Sequence, residues 1–513
     1  MNSSNLLKIR LLSLFVALIS ISLIAQTKSL PRSTPEQEGL SSESILNLIA
    51  AFEKKIEFVH SYMIVKNGKV VSEGWWDPYG PNSPHELWSL SKSFTSTAIG
   101  FAVEEGLLEI HDFVKDYFLE KSPENPSWQL KQLRIIDLLT MSTGHTSEPR
   151  LGQSSDDWVK IFMESELKLR PGTYFMYNTP ASYMLSAIIQ KITGEKLVDY
   201  LYPRLFEPLG IDRPEWEMDP KGINTGGWGL HLTTEDIAKF GLFYIQEGKW
   251  NGNQLLSEKW IKMATSKQVS NGSDPDTDWS QGYGFQFWRS RFNTYRGDGA
   301  MGQFCLVIPE HNTVVAITSG TGNMGGIMEI VWDELLPKMS SSEMTSNPKV
   351  VEVLRKKSAS LELESIKGKM SKNLAKKFFN KKIKIAENEE NVEFVFFNNK
   401  KNEIEIKVNN KVETIPFGFG KYIKSQLDGH LPFTSSKHQI IPESSLRYKK
   451  NMKIAASGAW ISDDKFQLRV YQYETPSRLD YIFNFKNGEL KWDSQKSNAL
   501  GSGNKIESLK SIL

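Results

Sequence analysis

Apolar positions change their period several times along this chain, and the changes mark out its elements. Residues 41–56, SSESILNLIAAFEKKI, begin with serines suited to an N-cap and continue with apolar residues at helical spacing, which predicts a helix. SYMIVKNGKVVSEGWW then alternates around Asn67-Gly68, the pattern of two strands folded as a hairpin. In SLSKSFTSTAIGFAVEEGLL the helical period returns, with Phe94, Ala98, Phe101 and Ala102 on one side. From roughly 130 to 265 the chain reads as mostly helical. RIIDLLTMSTG ends at Gly144, PASYMLSAIIQKITG ends at Gly194 as a C-cap, and TTEDIAKFGLFYIQEG starts behind Thr233 and Thr234. GYGFQFW, QFCLVIP and TVVAITS read as strands, and GIMEIVWDELL as a closing helix.

A helix and hairpin at one end, strands and a helix at the other, and helices between predict an α+β fold closing on itself. The terminal strands would form an antiparallel sheet flanked by helices, the middle a helical subdomain, and a ligand crevice would lie between them. After about residue 340 the composition changes. SSSEMTSNP reads as a linker, followed by VEFVFF, EIEIKV, FQLRVYQYE and LDYIFNFKNGELKWD, the last folded at Asn487-Gly488. The expected division is a signal segment at 1–25, an α+β domain at 30–340, a linker at 341–355 and an all-β domain of antiparallel strands at 356–513.

Length and composition support this division. A chain of 513 residues exceeds one ordinary core, and 39% hydrophobic with 11% aromatic residues is the composition of a globular protein. Lys8 and Arg10 precede an apolar run from Leu11 to Ala25 with no acid in it, the layout of a secretory signal. That predicts an exported protein, periplasmic or secreted. Leu23 is larger than usual at the −3 position, so an uncleaved membrane anchor is the alternative. The single cysteine, Cys305, rules out an intrachain disulfide and lipoprotein attachment of the signal region. Residues 26–340 carry 29 basic and 40 acidic side chains; residues 341–513 carry 31 and 20. Opposite fields could dock the two parts, or the basic domain could face an anionic envelope surface; a Lys-rich, solvated β domain accounts for the numbers equally well. No nucleic-acid-binding motif accompanies the charge, so nucleic acid is not an expected partner.

The candidate chemistry lies in ELWSLSKSFTST, where Ser89 is followed three residues on by Lys92. The spacing recurs at Ser462–Lys465 and Ser502–Lys505, so it carries little weight alone. Its setting differs. Ser89 falls at the start of a predicted helix, where unpaired N–H groups favour a developing negative charge, and Lys92 comes up on the same face. Ser462 leads into a strand, where i and i+3 point to opposite faces, and Ser502 lies in a Gly-rich tail. A serine hydroxyl needs an adjacent base to become a nucleophile, and a lysine shielded from water can serve. An N-cap serine beside a surface lysine would show the same spacing.

SLSKSFTS, LLTMSTG, PGTYFMYNTPASYMLSAIIQKITG, GGWGLHLTTEDIAKFG and GDGAMGQFCLVIPEHNTVVAITSG together resemble the penicillin-recognising serine hydrolases. The resemblance is to the class C β-lactamase-related family, which includes D-alanyl-D-alanine carboxypeptidases, carboxylesterases and 6-aminohexanoate-dimer hydrolase. It covers about residues 30–335. It implies that Ser89 forms an acyl-enzyme, that Lys92 helps deprotonate it, and that Tyr177 acts as general base and leaving-group acid. With an ordinary pKa near ~10, Tyr177 in that role would need nearby positive charge, such as Lys92, to stabilise its phenolate. The family's third motif would fall at Gly297-Asp298-Gly299, with the N–H of Ala300 and that of Ser89 forming the oxyanion hole. The glycines at 299 and 302 also fit a tight strand edge.

Two departures bear on the substrate. Thr179 occupies the asparagine position of the family's Tyr-x-Asn motif, removing an amide that usually holds the substrate's amide group. Asp298 stands where the family carries a cation that binds a substrate carboxylate, and it would repel such a group unless Arg296 compensates. The resemblance so qualified implies cleavage of an ester or small amide. A β-lactamase or carboxypeptidase, and a catalytically silent binding or sensing module, are the alternatives. Trp88, with Trp75 and Trp76, is a candidate pocket wall. GTGNMG at 320–325 matches a dinucleotide fingerprint, but its strand reads as half of a hairpin and no parallel strand follows. With no His-Glu-x-x-His, Cys/His cluster or G-x-S-x-G, neither a metal, a cofactor nor an α/β-hydrolase elbow is expected.

Overall fold

The computed structural model describes residues 28–151, 157–368, 378–398, 400–428, 431–433, 451–486, 488–496 and 507–512. The expected signal segment, Asn487 of the expected hairpin turn and the S-x-x-K copy at Ser502–Lys505 lie outside the described residues.

Helix α1 (Ser42–Lys55) starts where the Ser41 side chain accepts the Ser44 N–H at 3.1 Å and ends on Lys54 and Lys55, cations at the negative end of the dipole. Its Ile45, Leu48, Ile49 and Phe52 form one buried stripe. The stripe packs on a six-stranded antiparallel sheet built from both ends of the first unit. The strands are β1 (Val59–Lys66), β2 (Lys69–Trp75), β3 (Trp288–Arg289), β4 (Tyr295–Gly299), β5 (Gln303–Ile308) and β6 (Thr313–Ser319), in the order β2-β1-β6-β5-β4-β3. GTGNMG therefore follows a strand paired antiparallel on both sides, and it is not a dinucleotide fold.

Successive side chains of these strands enter different cores. Tyr62, Ile64, Phe304, Leu306, Val315 and Ile317 meet α1, α5 (Met324–Glu334) and Leu354 of α6 (Pro348–Ala359). Met63, Val65, Cys305, Val307, Val314 and Ala316 face the other way, with α2 (Ser91–Glu104), α3 (Thr179–Thr193) and α4 (Thr234–Ile245) in the second core. Helices on both faces explain why the strands read as continuous apolar runs rather than alternating ones.

Two expectations need correction. GYGFQFW is not a strand: Tyr283 makes only isolated bridges to Val269 and Trp288, and Gln286 adopts a left-handed φ of 62°. The Gln286 side chain instead donates to Leu138 O and Leu139 O and accepts from Ser182 Oγ, tying three segments together. The stretch expected as a linker, 341–355, runs into α6. Asn347 caps this helix by accepting the Lys349 N–H, Pro348 follows at its first position, and Leu354 is buried against the first unit.

Beyond it, ten strands among the described residues form two antiparallel meanders, the first four strands in one sheet and the last six in another. These are β7 (Lys382–Lys384), β8 (Val392–Asn398), β9 (Glu403–Val408), β10 (Lys411–Pro416), β11 (Ile423–Leu427), β12 (Met452–Trp460), β13 (Lys465–Gln472), β14 (Arg478–Lys486), β15 (Glu489–Lys496) and β16 (Glu507–Lys510). The end of the last strand returns to the first: Ala386 N–H donates to Lys510 O at 2.8 Å and Ile512 N–H to Lys384 O at 3.0 Å. Ile404, Ile406, Leu468, Val470, Phe483 and Trp492 share one core inside this curl. The interior is filled with side chains.

The turn between β13 and β14 docks on the first unit. Glu86 N–H donates to Glu474 O at 2.9 Å, and the Tyr79 hydroxyl donates to Thr475 O at 3.1 Å. The Arg478 guanidinium lies 3.7 Å from the centre of the Phe58 ring, and Tyr471 is fully buried in the core that holds α1. Glu86 is three residues before Ser89, so the β unit braces the segment leading to the candidate nucleophile. Tyr471→Ala removes a ring shared by both units and is expected to cost about 3–5 kcal/mol, as for other large aromatic truncations. A lowered urea midpoint would check this, and an unchanged one would show that the junction contributes little to stability.

Candidate active site

Ser89 sits in a 3₁₀ turn, Trp88–Leu90, that runs directly into α2. Trp88 holds a φ of 49°, an uncommon conformation for a bulky residue and one that needs support around it. The support is visible on both sides: Leu87 N–H donates to Leu230 O at 2.8 Å, and Leu87 and Leu90 are fully buried. The turn leaves Ser89 partly exposed between two anchored neighbours. Its own hydrogen bonds use the N–H groups of Leu90 and Ser91, so that of Ser89 is not needed by the turn.

Helix α2 is buried all round from Ser91 to Ala102, rather than on the one side that its apolar spacing predicts. Its polar side chains are satisfied by neighbouring elements. Ser93 Oγ donates to Gln286 O, Thr95 Oγ1 to Gly226 O, and Thr97 Oγ1 pairs with the Tyr244 hydroxyl. That burial places Lys92, one turn after Ser89, in the interior at 1% exposure. Lys92 Nζ donates to Ser89 Oγ at 2.9 Å and to Gly227 O at 2.8 Å. No carboxylate among the described residues reaches it as an ion pair. Burial pulls its pKa down to about 7, against the opposing influence of Glu148 and Asp298. Gly227 fits because a Cβ there would lie 2.6 Å from Thr179 Cγ2 and 3.5 Å from Lys92 Nζ.

The Tyr177 ring lies 4.9 Å from Lys92 Nζ and stacks on Trp288 with centroids 5.4 Å apart, while Tyr283 meets it edge-on. Its hydroxyl interacts with Ser89, but burial and then the negative Asp298 push its pKa well above the ordinary phenol value. The phenolate condition is therefore not met: burial first, then Asp298 and Glu148, favour the neutral phenol of Tyr177, and the Ser89 hydrogen bond and Arg296 oppose them.

Arg296 and Asp298 lie two apart on β4 and pair through Nε and Oδ2 at 2.8 Å. The guanidinium is fully buried between Trp279 and Trp288, and it also donates to Asp278 O and Ser290 Oγ. Arg296 thus compensates Asp298 and is held in place doing so. Gly299 is required by close approach: a Cβ there would stand 2.0 Å from Leu87 O and 3.1 Å from Ser89 N. The end of β4 therefore abuts the Ser89 turn, and Ala300 begins the turn that follows.

Thr179 opens α3 two residues after Tyr177. Asn178 does not replace the missing amide, since its side chain caps α3 through the Ala181 N–H and donates to Thr143 Oγ1. Ser89, Lys92, Tyr177, Thr179, Asp298, Gly299, Ala300 and Trp88 thus fall in one region, while Ser462 lies in the distal β unit at the start of β13. Trp76 is not a wall of this site, being packed on Tyr62 in the opposite core. Three contributors were not singled out by sequence. Gly227 lies within the quoted GGWG, whereas Trp288 and Glu148 are brought in only by tertiary contacts. Glu148 is exposed, and its Oε1 accepts the Thr179 N–H at 2.5 Å.

Comparison with known proteins bears on the family. A family model described as Beta-lactamase matches residues 57–329. The chain is 23% identical over 249 residues to 6-aminohexanoate-dimer hydrolase of Paenarthrobacter ureafaciens, covering 45% of this chain and 63% of that protein. It is 27% identical over 221 residues to protein flp of Staphylococcus aureus, covering 39% and 44%. Each alignment thus spans less than two thirds of the relative. Among solved structures, a penicillin-binding protein homologue from Caulobacter crescentus aligns with a TM-score of 0.47 at 16% identity, over 62% of this chain and 97% of that one. The family match takes in the sheet, the helical middle and every residue of the site, over more than half of the chain: it belongs to the β-lactamase family.

Proposed function

We propose that this protein is a serine hydrolase that cleaves an ester or small amide through an acyl-enzyme on Ser89. The observation that carries the reading is the buried Lys92, 2.9 Å from Ser89 Oγ and without an ion-pair partner among the described residues. As a neutral amine it accepts the Ser89 proton while Oγ attacks the substrate carbonyl carbon. The tetrahedral oxyanion is stabilised by the N–H groups of Ser89 and Ala300. As the intermediate collapses, the proton passes from Lys92 to the leaving alcohol or amine, with the Tyr177 phenol relaying it. Water then attacks the Ser89 ester while Lys92 takes its proton, and as the carbonyl C–Oγ bond breaks Lys92 returns that proton to Ser89 Oγ, releasing the acid and restoring the hydroxyl.

The substrate reading rests on Asp298 and Arg296. In a carboxylate-binding site a free cation would be presented here, but the guanidinium is buried and paired with Asp298, its Nη1 also held by Asp278 O and Ser290 Oγ, so that among the described residues only Nη2 lacks a partner. β-Lactams and C-terminal peptides both bring a carboxylate, so simple esters and amides fit better. We also propose export, supported by the basic and apolar layout of residues 1–25. The mass of the N-terminus recovered from fractionated cells tests that.

Three outcomes are expected. A fluorophosphonate probe should add once to the intact protein and not to Ser89→Ala, with turnover of p-nitrophenyl butyrate and little of nitrocefin. Labelling unaffected by Ser89→Ala would sink the nucleophile, and fast nitrocefin cleavage would sink the substrate reading. Because Lys92 must be neutral, kcat/KM should rise about tenfold per pH unit below about 7 and level off above it; a flat profile from pH 5 to 8 would exclude it as the base. Gly299→Ala drives a methyl into Leu87 O and displaces the proposed oxyanion donors, so kcat should fall about 10²–10³-fold. Near wild-type kcat would remove this strand edge from the mechanism.

A further inference from the structure

The acidic side chains around the site differ in one respect that bears on the substrate. Asp298 is buried and tied to Arg296 at 2.8 Å. Glu148 is exposed, and no cation among the described residues lies within ion-pair distance of it. Its carboxylate is nevertheless fixed, because Oε1 accepts the N–H of Thr179 at the start of the 15-residue α3.

That position borders the reacting atoms. Thr179 Cγ2 and Lys92 Nζ flank the same face of Gly227, and Tyr177 two residues earlier lies over Lys92 Nζ. With Arg296 paired to Asp298, Glu148 is, among the described residues, the acidic side chain of the site wall without an ion-pair partner. A ligand carrying a carboxylate meets repulsion there; a ligand carrying an ammonium group meets a held acceptor.

We propose that Glu148 is the specificity-determining residue of this site, and that it selects esters or amides bearing an ammonium or similar cation within reach of the scissile carbonyl. The inference rests on the acyl-enzyme reading and narrows it to cationic substrates.

The test uses the full-length protein and three p-nitrophenyl esters on one rigid scaffold: trans-4-(aminomethyl)-, trans-4-ethyl- and trans-4-carboxycyclohexanecarboxylate. The expected kcat/KM for the amino ester exceeds that of the ethyl ester by about five- to tenfold at low salt, with the carboxy ester slowest. The ratio should shrink as ionic strength rises. In Glu148→Gln, which keeps an acceptor for the Thr179 N–H, the amino-to-ethyl ratio should fall to about one. A ratio near one in the unmodified protein, or a preference that survives Glu148→Gln, overturns the inference while leaving the hydrolase intact. Should no ester turn over, the acyl-enzyme reading fails on its own. Calorimetric binding of the matching amino and ethyl carboxamides to Ser89→Ala then decides about Glu148. Tighter binding of the amine, lost on adding Glu148→Gln, supports it; equal binding overturns it.

Discussion

The site depends on burying a lysine without giving it a carboxylate. An ammonium group taken out of water is strongly disfavoured unless it is paired, so Lys92 responds by shedding its proton near neutrality. Much else in the first unit follows from that. Helix α2 has to be enclosed on every side, and its serines and threonines have to find partners in Gln286, Gly226 and Tyr244. Gly227 has to lack a side chain so that its carbonyl can meet Nζ. Asp298 is close enough to be felt by Lys92, and its own pairing with Arg296 keeps that influence small. The same surroundings hold Tyr177 as a phenol, and the proposed mechanism divides the labour accordingly: the lysine takes the proton and the tyrosine passes it on.

The antiparallel sheet sets the positions on which this rests. Strands from residues 59–75 and 288–319 close the unit, and β4 delivers Gly299 against the Ser89 turn while its alternate residues, Arg296 and Asp298, form the ion pair. The strained Trp88 is held from two directions. Leu230 receives the Leu87 N–H from within the unit, and Glu474 of the β unit receives the Glu86 N–H. The curled meanders, with their filled interior, contribute to the site through this brace.

Much of this organisation was legible in the sequence, and the unread parts share a cause. Elements with a clear period or cap, such as α1 behind Ser41 and α3 ending at Gly194, follow from local pattern. The hairpin at Asn67-Gly68 does too. GYGFQFW misled because its apolar alternation suits a strand, while Gln286 in its middle is committed to carbonyls of a distant helix. Residues 348–359 carried a capped helix start in Asn347-Pro348, but the preceding serines read as linker. At the site, the spacing of Ser89 and Lys92 carried little by itself, and the motifs around it singled the pair out; the structure places the two side chains 2.9 Å apart. Trp288, Glu148 and the enclosure of Arg296 by Asp278, Trp279 and Trp288 were not, since each depends on contacts between segments apart in the chain.

The central claim concerns one proton, and it can be observed directly. Lysine Nζ groups labelled with ¹⁵N, with the Lys92 signal assigned by its loss in Lys92→Met, would be followed by NMR from pH 5 to 11. The account predicts that Lys92 titrates near 7, well apart from the surface lysines. Titration near 10, with the bulk of the lysines, would mean that the amine beside Ser89 is charged at neutral pH and cannot be its base.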